Sequence, residues 1–388
     1  MKIGQEYKRD VNLDIIRTVA VLGVLTLHGF ILINYHNQPF SGARMMLAAP
    51  LRALSMTCVP LFLLLTGYLL CKKELSCRYY KGLIPVLFTY VLCSALVLAF
   101  RDVAQGVHMS WSSRLFSILN YTGAPYGWYI NMYIGLFLLI PFLNLLWAAL
   151  PSERHKQALV VTLVVLTALP SILNRFDFQT PGALFLPVKS QGAQALLPAY
   201  WEEKLWPFTY YFLGIYLREH PLPRSRKQST INFLALAGTM LVTSLWYYYR
   251  FRQGVYAQEQ DWQSILYVAE SVALFVWLKG LSMRRAPRWL AWFVCITAQL
   301  SLGVYIISYI PDSLLYPWFN TLVAQVPRRL VWLPLLVVTD FLVSWLLAAL
   351  VQGIYLGLYS FFAKLLPPKP GHRPQKLKTD KTSKGRGG

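Results

Sequence analysis

The fold of this chain is decided by residues 15–35, which read IIRTVAVLGVLTLHGFILINY. A helix needs about 20 consecutive apolar residues to cross the hydrocarbon core of a bilayer. This stretch has 21 residues, and Arg17 is its one charged side chain. It predicts a membrane-spanning helix.

Similar apolar runs recur along all 388 residues, of which 56% are hydrophobic and only 14% charged. Soluble domains average about 25% charged residues. The alternating polarity of a membrane barrel is absent. We therefore predict an all-α polytopic membrane helical bundle with about ten transmembrane helices. The predicted spans are 15–35, 49–70, 82–100, 128–150, 157–173, 205–217, 231–249, 262–281, 289–311 and 332–362.

These spans divide the chain into three parts. Residues 1–14 form an N-terminal segment without the features of a cleavable signal peptide. Residues 15–362 form the transmembrane domain. Residues 363–388 form a basic tail rich in Pro and Gly, which we expect to be disordered and to contact anionic lipids.

The distribution of basic residues predicts the orientation. With ten spans, both termini and the even-numbered loops share one side, and that side carries 25 of the 37 Lys and Arg residues. The opposite side carries 10. Basic loops remain in the cytoplasm, so we expect a cell-membrane protein with both termini cytoplasmic. The formal charge of +21 thus reflects topology, and we expect no nucleic-acid partner.

The cysteines predict free thiols. Cys58, Cys93 and Cys295 fall within predicted spans, whereas Cys71 and Cys77 lie in a basic loop that we place in the cytoplasm. This arrangement favours buried or reduced thiols over a disulfide framework.

Five polar residues stand within or at the edges of predicted spans: Arg17, His28, Arg52, Glu270 and Asp340. An ionisable side chain in a span is costly and is a functional candidate by default. Arg52 begins its span, so we expect it to snorkel outward. Glu270 and Asp340 could pair with Arg17, Arg52 or backbone donors, or could line a cavity.

Arg17 and His28 are eleven residues apart, which places them on one helix face and about 16 Å apart along the axis. Asp14, three residues before Arg17, can hold the guanidinium in place. Arg17 could grip phosphate oxygens, and a neutral His28 deeper in the bilayer could act as general base. Acyl-coenzyme A has the length to reach both. A snorkelling arginine and a histidine bonded across helices remain an equal alternative.

Four segments in order resemble motifs of a known family. They read LDIIRTVAVLGVLTLHG (13–29), VPLFLLLTGYLL (59–70), YGWYINMYIGLFLLIPFLN (126–144) and SLGVY (301–305). The first matches the spacing of an Asp, an Arg three residues later and a His after ten more. Together they resemble the membrane-bound acyltransferase family 3, of the OafA/WecH O-acetyltransferase type, over about residues 12–310.

The resemblance implies transfer of an acyl group, usually acetyl from acetyl-coenzyme A, to a hydroxyl of a surface glycan or its lipid-linked precursor. His28 would be the catalytic base or a transient acyl carrier, and Arg17 would bind the coenzyme. Thr66, Gly67 and Tyr68 would pack near the first helix. The weaker candidates for the substrate cavity are Trp128, Tyr129, Tyr68, Glu270, Ser301 and Tyr305.

Two features depart from the family pattern. Many relatives carry a histidine at the position of Ser308, and Glu270 is an unexpected acid in a span. The alternative function is a transporter or flippase for a glycan precursor, which would have broken helices in two matching halves. Pro60 and Pro141 are the nearest candidates for such breaks. The sequence contains no metal-ligand spacing and no dinucleotide fingerprint, so we expect no metal.

Overall fold

A computed structural model describes residues 10–174, 196–198, 200–223, 225–251, 262–283 and 286–365. The residues described form an all-α bundle without strands, as predicted. Its helices are α1 (Val11–Leu32), α2 (Ala43–Met56), α3 (Cys58–Leu70), α4 (Cys77–Tyr80), α5 (Ile84–Gln105), α6 (Trp111–Leu119), α7 (Trp128–Ala149), α8 (Glu153–Thr167), α9 (Pro170–Leu173), α10 (Glu202–Glu219), α11 (Arg226–Phe251), α12 (Ile265–Gly280), α13 (Arg288–Ile307), α14 (Tyr309–Leu322) and α15 (Val326–Leu365).

Eight helical segments of the described chain are long and apolar enough to cross a membrane. They are Val11–Asn37, Ala43–Leu70, Cys77–Gln105, Trp128–Ala149, Glu153–Leu173, Arg226–Tyr249, Arg288–Ile307 and Val326–Leu358. The other two predicted spans, 205–217 and 262–281, coincide with α10 and α12, which have 18 and 16 residues. Large apolar side chains remain exposed around the bundle, among them Leu139, Phe142 and Leu145, as expected where a protein faces lipid.

Hydrogen bonds between helix ends sort those ends into two sides. On one side, Asn12 near the start of α1 donates to the Leu278 carbonyl at the end of α12, at 2.9 Å. On the opposite side, Asn320 near the end of α14 donates to the Leu32 carbonyl at the end of α1, also at 2.9 Å. α1 and α12 therefore run in opposite directions, and α14 runs in the same direction as α1, as expected for alternating spans.

Three of the predicted spans are interrupted, and a proline lies just after each break. The span 157–173 divides into α8 and α9, which begins at Pro170. Pro60 lacks the N–H that would bond the Met56 carbonyl, and α2 ends at Met56. Pro311 leaves the Ile307 carbonyl without its partner in the same way, and α13 ends at Ile307. The predicted spans 49–70 and 289–311 are therefore corrected to the pairs α2–α3 and α13–α14. By contrast, α7 continues through Pro141.

The N-terminus of α1 is fixed by two polar residues. Asp10 is its N-cap and accepts from the Asn12 backbone N–H at 3.1 Å. The Asn12 amide also donates to the carbonyls of Lys279 and Leu281, which closes the end of α12. The helix begins at Val11, four residues earlier than the predicted span.

Helix α3 packs against α1, as expected, but Gly67 on α3 faces a different helix. Gly67 and Gly214 of α10 face each other, and a Cβ on Gly67 would overlap the Tyr211 carbonyl oxygen. Gly67 therefore permits close approach to α10 and not, as predicted, to the first helix. The five cysteines are free thiols, in agreement with the sequence. Residues 1–9 and 366–388, which hold most of the predicted terminal segments, lie outside the described residues.

Candidate active site

Helix α1 carries the two principal candidates. It is uninterrupted between Arg17 and His28, so the predicted separation of about 16 Å along the axis holds. Arg17 contacts Asp14 through an ion pair of 3.4 Å, as the spacing predicted. The Asp14 side chain is buried, and that of Arg17 is 33% exposed, so the guanidinium is oriented and still accessible.

Arg17 borders a cavity of about 290 Å³. Its walls are largely apolar and come from α3, α5, α7 and α13; Phe62, Leu65 and Leu302 are examples. Thr66, Tyr133 and Ser301 add hydroxyl groups. We call this space the Arg17 cavity.

His28 borders a second cavity, of about 380 Å³, which we call the His28 cavity. Its lining is aromatic as well as apolar and includes Tyr126, Trp128 and Trp262. The two tryptophan rings are stacked with 6.0 Å between their centroids. The side of the His28 cavity that faces α1 therefore presents flat aromatic surfaces.

The two cavities meet at Val24, Val59 and Tyr305, which line both of them. Val24 lies on α1 between Arg17 and His28. The two adjoining cavities thus lie side by side along α1, with a cation at one and an imidazole at the other.

The His28 ring contacts two groups, Tyr126 and Asp312, and Tyr126 is itself held by Tyr305. It stacks on Tyr126 with centroids 3.9 Å apart, and its Nδ1 atom lies 3.5 Å from Oδ2 of Asp312 on α14. Tyr126 donates its hydroxyl to the same Asp312 oxygen at 2.7 Å. The hydroxyl of Tyr305 in turn donates to the Tyr126 carbonyl. The side chain of His28 is only 12% exposed, so its orientation is set by protein contacts.

The structure brings together most of the predicted cavity residues. Tyr129, Ser301 and Tyr305 line the Arg17 cavity, and Trp128 and Tyr305 line the His28 cavity. Tyr68 lies elsewhere, beside Phe275 and beneath the Arg218 guanidinium, in a smaller cavity that Lys279 also lines.

The other polar residues in spans have separate surroundings. Glu270 is fully buried on α12 and lines neither cavity. Arg52 does not snorkel outward: it is fully buried, with its guanidinium 4.7 Å above the Tyr247 ring and a 3.3 Å hydrogen bond to Tyr267. Tyrosine faces and hydroxyls thus replace water around this charge. Asp340 is fully buried on α15, where Ser344 donates to it at 3.1 Å.

Three site residues were missed by the sequence reasoning. Asp312 follows the predicted span 289–311 by one residue, and Tyr126 and Trp262 stand at loop edges, so none was examined as a buried polar or cavity group. Ser308, at the junction of α13 and α14, donates its hydroxyl to the Tyr305 carbonyl at 3.0 Å. Within the described ranges, no cluster of three or more His, Cys, Asp or Glu has the arrangement of a metal site.

Comparison with known proteins supports the resemblance. A family model described as an acyltransferase domain, that of acyltransferase family 3, matches residues 10–349. Comparison with curated proteins and with solved structures gives no match. The family match disfavours the transporter alternative, although the break at Pro60 that it anticipated is present. The chain therefore belongs to acyltransferase family 3 and is a membrane acyltransferase.

Proposed function

We propose that this protein is an OafA/WecH-type O-acetyltransferase. It moves an acetyl group from acetyl-coenzyme A to a hydroxyl of a cell-surface glycan or of its lipid-linked precursor. The observation that carries the proposal is the pair of cavities that meet along α1, with Arg17 bordering one and His28 the other.

The Arg17 cavity fits the donor. A guanidinium held by Asp14 binds phosphate oxygens with two parallel hydrogen bonds. The apolar walls beyond it suit the uncharged arm that carries the thioester. Tyr305, at the junction of the cavities, then lies where the arm would pass toward His28.

Acetyl-coenzyme A supplies an acyl group that is activated as a thioester. His28 accepts the proton of the acceptor hydroxyl as that oxygen attacks the thioester carbonyl carbon. The carbon–sulfur bond breaks, and His28 returns the proton to the departing sulfur. A neutral imidazole can perform both steps near neutral pH.

The His28 cavity suits a sugar as acceptor. The stacked rings of Trp128 and Trp262, together with Tyr126, offer flat apolar surfaces with polar edges. The C–H face of a sugar ring packs against such surfaces while its hydroxyls remain free for reaction. Trp128 and Tyr126 thus support the expectation of a glycan acceptor.

The proposed transfer also has a direction. The basic side of the protein is the side on which α1 begins, and positively charged loops remain in the cytoplasm. Both termini are then cytoplasmic in the cell membrane, and Arg17 faces the compartment that holds coenzyme A. The basic tail contacts anionic lipids on the same face.

The experiment supplies labelled acetyl-coenzyme A to membrane vesicles of known sidedness that contain the wild-type protein or His28→Ala. We expect label in the glycan or lipid-linked sugar fraction from the wild-type protein alone, with the donor on the face where α1 begins. Label confined to proteins would contradict a glycan acceptor. Movement of sugar precursors without incorporation of label would favour the transporter.

A further inference from the structure

Asp312 is placed to act on His28, and neither the predicted motifs nor the family match assigns it a role. It lies on α14, one turn after the break at Ser308, and its side chain is 1% exposed. Its Oδ2 atom is 3.5 Å from His28 Nδ1 and accepts the Tyr126 hydroxyl at 2.7 Å. The separation from Nδ1 is slightly longer than a hydrogen bond, as is common for catalytic contacts without substrate.

A second buried carboxyl stands behind the first. Asp340 on α15 lies near Asp312 and accepts a hydrogen bond from the Ser344 hydroxyl at 3.1 Å. Asp312 Oδ1 and Asp340 Oδ2 are both buried, and among the described residues neither oxygen has a hydrogen-bond donor. Two carboxylates this close repel each other, so one shared proton would leave the pair with a single negative charge.

A carboxylate beside Nδ1 has two effects on an imidazole. It holds the proton of the neutral ring on Nδ1, which leaves the lone pair of Nε2 free to accept a proton. It also stabilises the imidazolium that forms after the transfer. Both effects require the negative charge and not merely the shape of the side chain.

We propose that Asp312 is the positioning residue for His28, fixing its tautomer and stabilising its protonated form, with Asp340 sharing a proton behind it. This inference rests on the proposed function, because it assigns His28 the role of base. During transfer the acceptor proton moves to Nε2 and then to the departing sulfur, while the Nδ1 proton remains between His28 and Asp312. No proton is gained or lost over the cycle.

Several titratable groups of the described residues surround His28. Asp312 on α14, Tyr126 before α7, Tyr305 on α13 and Cys58 on α3 contact its ring or line its cavity. Tyr316 on α14 reaches the neighbouring Gly29, and Asp340 on α15 lies behind Asp312. Asp312 and Asp340 are the two carboxyl groups of this set. A change in the pH dependence of turnover when Asp312 is replaced by Asn therefore reports on the contact of Asp312 with His28.

The test compares Asp312→Asn with the wild-type protein and with Asp102→Asn. Asp102 is the matched control, because it also pairs with a histidine, with Oδ1 2.8 Å from His108 Nδ1, but lies at the far end of α5. Acetyl-coenzyme A turnover is measured from pH 5 to pH 9 on purified protein in nanodiscs, with thermal unfolding as the check on folding.

For Asp312→Asn we expect kcat to fall roughly 100-fold, which is the smallest effect typical of losing a general base. The KM for acetyl-coenzyme A should change by less than about threefold. Without the nearby charge, protonated His28 is less favourable, so the acid limb of the kcat/KM profile moves to lower pH. Asp102→Asn should keep the wild-type kcat and profile.

The outcomes separate the two claims. Suppose that the wild-type protein is active and His28→Ala is inactive. If Asp312→Asn then has the same kcat and the same acid limb as the wild type, the role of Asp312 is overturned. If His28→Ala matches wild type, the assignment of His28 itself fails. If Asp312→Asn does not fold, Asp312→Glu is measured instead. Its carboxylate is displaced by one methylene, so we expect a lower kcat and an unchanged acid limb. An unchanged kcat would contradict the positioning role.

Discussion

Arg17 and His28 lie on the same unbroken helix, and each borders one of two cavities that meet at Val24. One face of α1 therefore connects a cation near one side of the bundle with an imidazole deeper in it. This relationship divides the proposed reaction into two separable parts, donor binding at Arg17 and proton transfer at His28.

Arg17→Ala tests donor binding. We expect the KM for acetyl-coenzyme A to rise about tenfold to a hundredfold, since hydrogen bonds to charged groups contribute ~1.5–3 kcal/mol. The free energy of unfolding should fall by less than the free energy of donor binding does, because Arg17 is partly exposed although the buried Asp14 loses this ion pair. Arg218→Ala is the control, as Arg218 lies over Tyr68, outside both cavities. Equal KM values for the two variants would contradict the donor site.

Ser308→Ala tests whether Ser308 handles a proton. Its hydroxyl donates to the Tyr305 carbonyl within the same stretch of chain and does not contact His28. We expect kcat within about threefold of wild type, because the loss is one local hydrogen bond. A much larger fall in steady-state turnover, in a folded variant, would show that Ser308 has taken a catalytic role.

Gly67→Ala tests the close contact of α3 with α10. The new methyl group overlaps the Tyr211 backbone, which cannot move without separating the helices, so we expect a loss of about 1–3 kcal/mol in unfolding free energy. Gly135→Ala on α7 is the matched control, since a Cβ there meets open space. Thermal unfolding in detergent distinguishes them, and equal midpoints would refute the tight packing.

Arg329→Ala tests how the α14–α15 connection is held. The Arg329 guanidinium donates to the carbonyls of Val323, Asn320 and Ala324, and to that of Ile33 after α1. Leaving these acceptors without a charged donor should cost about 2–3 kcal/mol of unfolding free energy. The adjacent Arg328 is exposed, so Arg328→Ala should be nearly neutral. Similar effects from both variants would contradict this assignment.

The sequence predicted the fold well because membrane spans depend on composition and length. The same reasoning named Pro60 as a candidate break but did not divide the span there, and it did not locate the break at Ser308. Pro60 and Pro311 were visible signals, but a proline can also sit within an unbroken helix, as Pro141 does in α7. Which outcome occurs depends on the neighbouring helices, and a single sequence does not show them.

The candidate site was predicted in part. The spacing of Asp14, Arg17 and His28 needs only the geometry of one helix, and the structure retains it. The contact of His28 with Asp312 joins residues 284 positions apart, so no local pattern indicates it. The sequence does contain one signal for Asp312. An apolar run follows it and continues to Leu322, so Asp312 could have been recognised as an acid within a helix.

The proposed reaction depends on His28, which takes the proton of the acceptor hydroxyl during acyl transfer. The most direct measurement is release of the coenzyme A thiol from acetyl-coenzyme A by purified protein in nanodiscs, with extracted lipid-linked sugars as acceptor, for wild type beside His28→Ala. We predict binding of acetyl-coenzyme A by both and release by His28→Ala at least ~100-fold slower. Equal rates of thiol release by the two folded proteins would contradict the account.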